Sequence, residues 1–180
     1  MKNKILYTFL TIFTIVSLTG CNNEPDYVKN QETKGLCVAT ECIKQIEITD
    51  TVEEINKIVG FDGELIDEEY NTYSWKLSDN SELEVTYYSS DESYIKIYIE
   101  EDNFKNDKVN LDKYDDIEKD LNDGIELKYE DFINRIGAEG ILVEKTPYSK
   151  EYLWVNKDGG YLNATFQNSS GNCSFVSGWF

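Results

Sequence analysis

The chain has 180 residues, with 17 Lys+Arg against 35 Asp+Glu, no His, 3 Trp, 13 Tyr and 8 Phe. A formal net charge of −18 repels phosphate backbones, so nucleic acid is excluded as a partner. The absence of His removes Ser-His-Asp and Cys-His nucleophile systems. The aromatic content argues against a disordered acidic chain, because each ring carries a large apolar area to bury.

Residues 1–20 read as a lipoprotein signal peptide. Lys2 and Lys4 form a basic start, and residues 5–18 are apolar apart from Thr and Ser. That run is shorter than the roughly 20 residues of a membrane-spanning helix and suits the apolar region of a signal peptide. Leu18-Thr19-Gly20-Cys21 resembles the lipobox. The resemblance implies that signal peptidase II recognises Leu18, Thr19 and Gly20 and that Cys21 receives fatty acyl chains such as palmitate. The expected membrane partner is then met through the lipid on Cys21, at the extracytoplasmic face of the cell membrane. Each buried CH₂ of an acyl chain contributes about 0.8 kcal/mol, which makes a diacylated cysteine a durable anchor. Loss of Lys2 and Lys4 leaves 15 basic against 35 acidic residues, a charge near −20.

Residues 21–43 are expected to form the lipidated cysteine and a polar tether. Cys37, Cys42 and Cys173 remain beyond Cys21, an odd number for an oxidising compartment. Cys37 and Cys42 can close a small loop, or one of them can bridge to the last strand through Cys173. Without His, and without C-x₂-C spacing, the cysteines suggest disulfides in preference to metal. No cofactor is expected.

An internal repeat organises the rest. Residues 51–88 match residues 128–167. Each copy opens on an amphipathic helix that stops at glycine: Val52, Ile55, Ile58 and Val59 before Gly60, then Tyr129, Phe132, Ile133 and Ile136 before Gly137. Thr51 and Glu54 have capping-box spacing. Gly-x-x-Gly follows in both (Gly60/Gly63, Gly137/Gly140), then Tyr-x-Trp (Tyr73/Trp75, Tyr152/Trp154). Alternating apolar residues come next, Leu83, Val85 and Tyr87 in one copy and Leu162, Ala164 and Phe166 in the other. Period-two alternation predicts hairpins with one buried face.

Between the copies, Leu111, Tyr114, Ile117 and Leu121 have helical spacing, with Asn110 placed to cap and Gly124 to end the helix. The dense acids of this connector do not fit the EF-hand pattern, since Gly124 in the sixth place puts Lys119 in the first. They read as the solvated face of a helix. The expected fold class is α+β: two tandem repeats, each a short helix packed on a small antiparallel sheet of about four strands. The expected segments are 44–104 for the first repeat and 105–180 for the acidic connector helix with the second.

Helix, glycine, x-Trp hairpin and further strands, occurring twice, are similar to the tandem repeats of the beta-lactamase-inhibitor-protein-like families, which include short lipoproteins of Gram-positive bacteria. The resemblance spans about residues 44–180. It implies a helix-backed antiparallel sheet whose exposed face grips another protein, and an inhibitor of beta-lactamase is one such function. The cysteines do not sit equivalently in the two copies, so the family's disulfides do not carry over.

The functional expectation is a membrane-anchored, non-catalytic protein-binding or adaptor module. No catalytic residue stands out. Both Gly-x-x-Gly stretches follow helices and act as stops, not as phosphate cradles. The alternative is a carboxylate-dependent envelope hydrolase acting on glycans, with its acids unplaced among 35. Tyr73, Trp75, Tyr87, Tyr152, Trp154 and Phe166 recur at matched places and are expected in the core. Tyr88, Tyr94 and Tyr98 alternate to the other face and are the candidate partner-binding residues, since exposed aromatics on a sheet make effective contact points.

Overall fold

The computed structural model describes residues 38–77, 80–89 and 92–180. The expected signal peptide, the lipobox Leu18-Thr19-Gly20-Cys21 and most of the tether, with Cys37, lie outside the described residues.

The described residues open with two helices, α1 (Val38–Gln45) and α2 (Val52–Val59). Four strands follow: β1 (Glu64–Asp67), β2 (Thr72–Lys76), β3 (Glu82–Ser89) and β4 (Glu92–Tyr98). A crossing segment with two short 3₁₀ turns leads to α3 (Tyr114–Asn122) and α4 (Tyr129–Ile136). The chain ends in β5 (Ile141–Lys145), β6 (Ser149–Val155), β7 (Tyr161–Gln167) and β8 (Cys173–Trp179).

Local chemistry accounts for the helix ends. Thr51 accepts the N–H of Glu54 through its hydroxyl (3.3 Å), and the Glu54 carboxylate accepts the N–H of Thr51 (2.9 Å), closing the capping box of α2. Gly60 ends α2 at φ 97° and Gly137 ends α4 at φ 91°, a left-handed conformation that side chains resist. Asn110 accepts the N–H of Asp112, so the connector opens as a 3₁₀ turn before becoming α3.

The expected pair of separate four-strand sheets is not what forms. All eight strands make one continuous antiparallel sheet in the order β1 to β8. The join is a short ladder between β4 and β5, Ile95 opposite Lys145 and Lys96 opposite Glu144. Among the described residues the fold is therefore a mostly-β sheet with four helices, not two helix-on-sheet units side by side. An exposed β4 edge would leave a row of unpaired backbone groups, and β5 satisfies part of it. Period-two alternation reports which face a residue occupies, but not which strand lies beside it.

The four helices of the described residues contribute to cores on one face. Ile43 and Ile46 from α1, with Ile55 and Val59 from α2, pack with Trp75, Leu83, Val85, Ile95 and Ile97. Ile117 from α3, with Phe132 and Ile136 from α4, packs with Trp154, Leu162, Ala164 and Phe166. Trp75 and Trp154 are 0% and 1% exposed. Full burial of a side chain of this size is worth upwards of about 3 kcal/mol, so these two anchor the cores. Cys42 belongs to the first cluster and Cys173 packs against the second, so these two do not bridge to each other. The thiol of Cys173 is free and donates to the carbonyl of Phe175 (3.2 Å).

Candidate functional site

The strand registers bring six residues into one row on the face turned away from the helices. Glu84 lies opposite Lys96, Lys96 opposite Glu144, Glu144 opposite Glu151, Glu151 opposite Thr165, and Thr165 opposite Phe175. The row crosses from β3 to β8 and passes through the β4–β5 join. Tyr94 and Tyr98 flank Lys96 on the same face of β4, because strand side chains repeat every two residues.

Polar contacts hold the centre of this row. The hydroxyl of Tyr94 donates to Oε2 of Glu144 (2.5 Å), and Oγ1 of Thr165 donates to Oε2 of Glu151 (3.5 Å). Nζ of Lys96 sits 5.0 Å from the ring centroid of Tyr98, a cation–π contact. Among the described residues, neither Glu144 nor Glu151 has an ion-pair partner within the distance of a salt bridge. Burial raises the pKa of Glu151, and the neighbouring Glu144 carboxylate raises it further, against smaller opposing effects of Lys96 and Thr165. Burial and the bond to Glu144 push the phenol of Tyr94 far above its usual range. Tyr98 is raised by burial and by the charge of Glu84. Both phenols therefore stay protonated and serve as donors.

Of the three tyrosines expected to bind a partner, the fold brings two together. Tyr94 is half-buried under its bond to Glu144, and Tyr98 is 46% exposed beside it. Tyr88 is more exposed, at 67%, but stands apart at the irregular end of β3, where the register shifts between Tyr87 and Ser89. Sequence reasoning missed Lys96, Glu84, Glu144, Glu151, Phe175 and Trp179. Lys96 was within reach, since it alternates with Tyr94 and Tyr98. Glu144 was not, because its place depends on the β4–β5 pairing. At the far edge, Phe175 and Trp179 on β8 are 59% and 64% exposed and extend the aromatic surface.

The other end of the same face is closed. Leu153 and Val155 of β6 are buried there. The N–H of Asn106 donates to the carbonyl of Val155 (3.0 Å), tying the crossing segment down. Among the described residues, four grooves of about 690, 380, 560 and 410 Å³ lie elsewhere, and neither Glu144 nor Glu151 lines them. Among the described residues no three potential ligands gather as a metal site, and no helix is long and apolar enough to cross a membrane. No family model, curated protein or solved structure matches the chain.

Proposed function

We propose that this chain is a lipid-anchored, extracytoplasmic, non-catalytic module that binds another protein through the outer face of its sheet. The observation that supports the reading is a single one. Tyr98, Lys96, Phe175 and Trp179 lie on a sheet face opposite the helices, presented by one rigid set of hydrogen-bonded strands. Exposed aromatics held by a rigid sheet lose little entropy on binding, and such residues carry a large share of the free energy of protein–protein contacts. The lipobox at Cys21 supports the anchoring part.

A photo-crosslinking amino acid at Tyr98 or Phe175, with one at Lys57 on α2 as control, tests the binding surface in intact cells. Capture of the same protein from the two sheet positions and not from Lys57 is expected, with loss of capture in the Tyr94→Ala/Trp179→Ala variant. Equal capture from all three positions would remove the outer face from the argument. Fatty-acid labelling of the wild type and of Cys21→Ala tests the anchor; an unlabelled wild type would end that part of the reading.

A second reading has one observation behind it. Glu144 and Glu151 are cross-strand neighbours, and Glu151 has a raised pKa, the pairing of environments that glycan hydrolases use for acid and base. Glycan cleavage that disappears in Glu151→Gln would favour the hydrolase. A beta-lactamase-type inhibitor would instead be recognised by tight inhibition of that enzyme.

A further inference from the structure

On the helix side, where α1 and α4 leave a gap over β5–β7, two cavities of about 560 and 410 Å³ share Lys150, Tyr152 and Asn168. They form one groove, within the size range of small-molecule sites. Its charge opposes that of the molecule. Lys44, Lys128, Lys145 and Lys150 line it, against only Glu47 and Glu130. Four of the 17 cationic residues meet there with two of the 35 acidic ones, in a chain of net charge −18.

The cations are not equivalent. Lys145 is 6% exposed, and its ammonium donates to the carbonyls of Ile43 (3.2 Å) and Ile46 (2.5 Å) at the end of α1. That leaves one of its three N–H donors over, and places a fixed, desolvated positive charge in the groove wall. Lys150 and Lys128 are exposed, and among the described residues neither is in an ion pair. Lys44 is held by an exposed bridge to Glu41 (3.2 Å). Between the cations the lining is apolar and aromatic, from Leu142, Tyr152 and Phe166. Tyr152 is half-buried and Leu142 and Phe166 are buried.

We infer that this groove binds an oxyanion, a phosphate ester or carboxylate, that carries an aromatic or aliphatic group. Ammonium groups donate and cannot accept, so the rim selects an acceptor-only, negative group. The apolar lining takes the attached hydrocarbon. Elsewhere the acidic surface repels such a ligand, so the groove is where it is held.

The test is a titration of the full-length chain with phenyl phosphate, followed through the NMR signals of Lys150, Tyr152 and Asn168. Benzylamine, of similar size and opposite charge, is the control. Saturable shifts with phenyl phosphate alone are expected, weakened about tenfold or more in Lys150→Glu and again in Lys128→Glu/Lys150→Glu. Both substitutions are at exposed positions, so retained thermal melting shows that the fold is intact. Vesicles of phosphatidylglycerol against phosphatidylcholine separate the sources. A response to the anionic vesicles alone, lost in Lys150→Glu, assigns the phosphate to a lipid headgroup, and a response to phenyl phosphate assigns it to a soluble ester. No shift with either probe overturns the site. So does binding unchanged in the double variant, or an equal response to benzylamine.

Discussion

Trp75 and Trp154 occupy matching places in the two halves of the sheet, each lying flat on a glycine. A Cβ added to Gly63 would come 2.4 Å from Cε2 of Trp75, and one added to Gly140 would come 2.7 Å from Cε2 of Trp154. The bonds that hold the two indoles differ. In the first half, Oδ1 of Asn56 accepts both the indole N–H (2.9 Å) and the N–H of Gly63 (3.0 Å). In the second, Ile133 stands where Asn56 would be, four residues before the helix-ending glycine, and offers no acceptor. The indole of Trp154 donates instead to the carbonyl of Ala138 (2.9 Å), and the hydroxyl of Tyr129 accepts the N–H of Gly140 (3.1 Å). Burial pushes that phenol up to about 12 while the Gly140 bond opposes the shift. The apolar geometry is the same in both halves. The polar bookkeeping is met locally, by whichever side chain is in reach, because a buried N–H must find an acceptor.

The largest expected effects test whether the two halves are equal in energy and unfold together. Trp75→Ala and Trp154→Ala are each expected to cost about 3–5 kcal/mol in urea denaturation. Because the β4–β5 ladder joins the halves, each variant should unfold in one transition. Two separated transitions would show the halves to be independent.

Next comes the polar difference. Asn56→Ala leaves two N–H groups without their acceptor and is expected to cost about 1–3 kcal/mol, whereas Tyr129→Phe leaves one N–H without its acceptor, that of Gly140, and should cost about 0.5–1.5 kcal/mol. Equal losses in chemical denaturation would erase the distinction drawn between them.

The helix starts differ as well. Thr51→Ala should remove about 1 kcal/mol from α2. Lys128 precedes α4 with similar extended backbone, φ −105° and ψ 169°, but its side chain caps nothing. Lys128→Thr is therefore expected to gain up to about 1 kcal/mol, read as a raised Tm.

The smallest effects are those of pH. Glu54 has its pKa lowered, first by the N–H of Thr51, so its contribution is present above the unfolded carboxylate pKa and is lost as pH falls through the folded value. Glu151 has its pKa raised by burial and by Glu144, so its contribution is full below the unfolded pKa and is lost as pH rises through the folded value. Stability measured from acid to neutral pH should show Glu151→Gln gaining on the wild type as pH rises. Glu54→Gln should lose ground over the same range. Parallel curves would contradict both assignments.

Much of the inner face is legible in the sequence. The helix stops at Gly60 and Gly137, the Thr51 cap and the inward set Trp75, Leu83, Val85, Trp154, Leu162 and Phe166 follow from short-range periodicity and glycine conformation. The proposed binding face was legible only along β4, where Tyr94 and Tyr98 share one side. The row from Glu84 to Phe175 was not, since each member comes from a different strand. The lysine groove was equally hidden, as Lys44, Lys128 and Lys150 meet only through the packing of helices on the sheet.

By itself, then, the sequence determined the local elements and which side of each strand is apolar. These depend on neighbours a few residues apart, where side-chain direction and backbone preference are set directly. The tertiary structure alone decided that the two halves share one sheet and that Glu144 stands beside Lys96 and Glu151. It also set Lys145 against the end of α1, a contact between residues about 100 positions apart. Such pairings are settled by the closing of sheet edges and the burial of whole faces, and no local pattern in the chain encodes them.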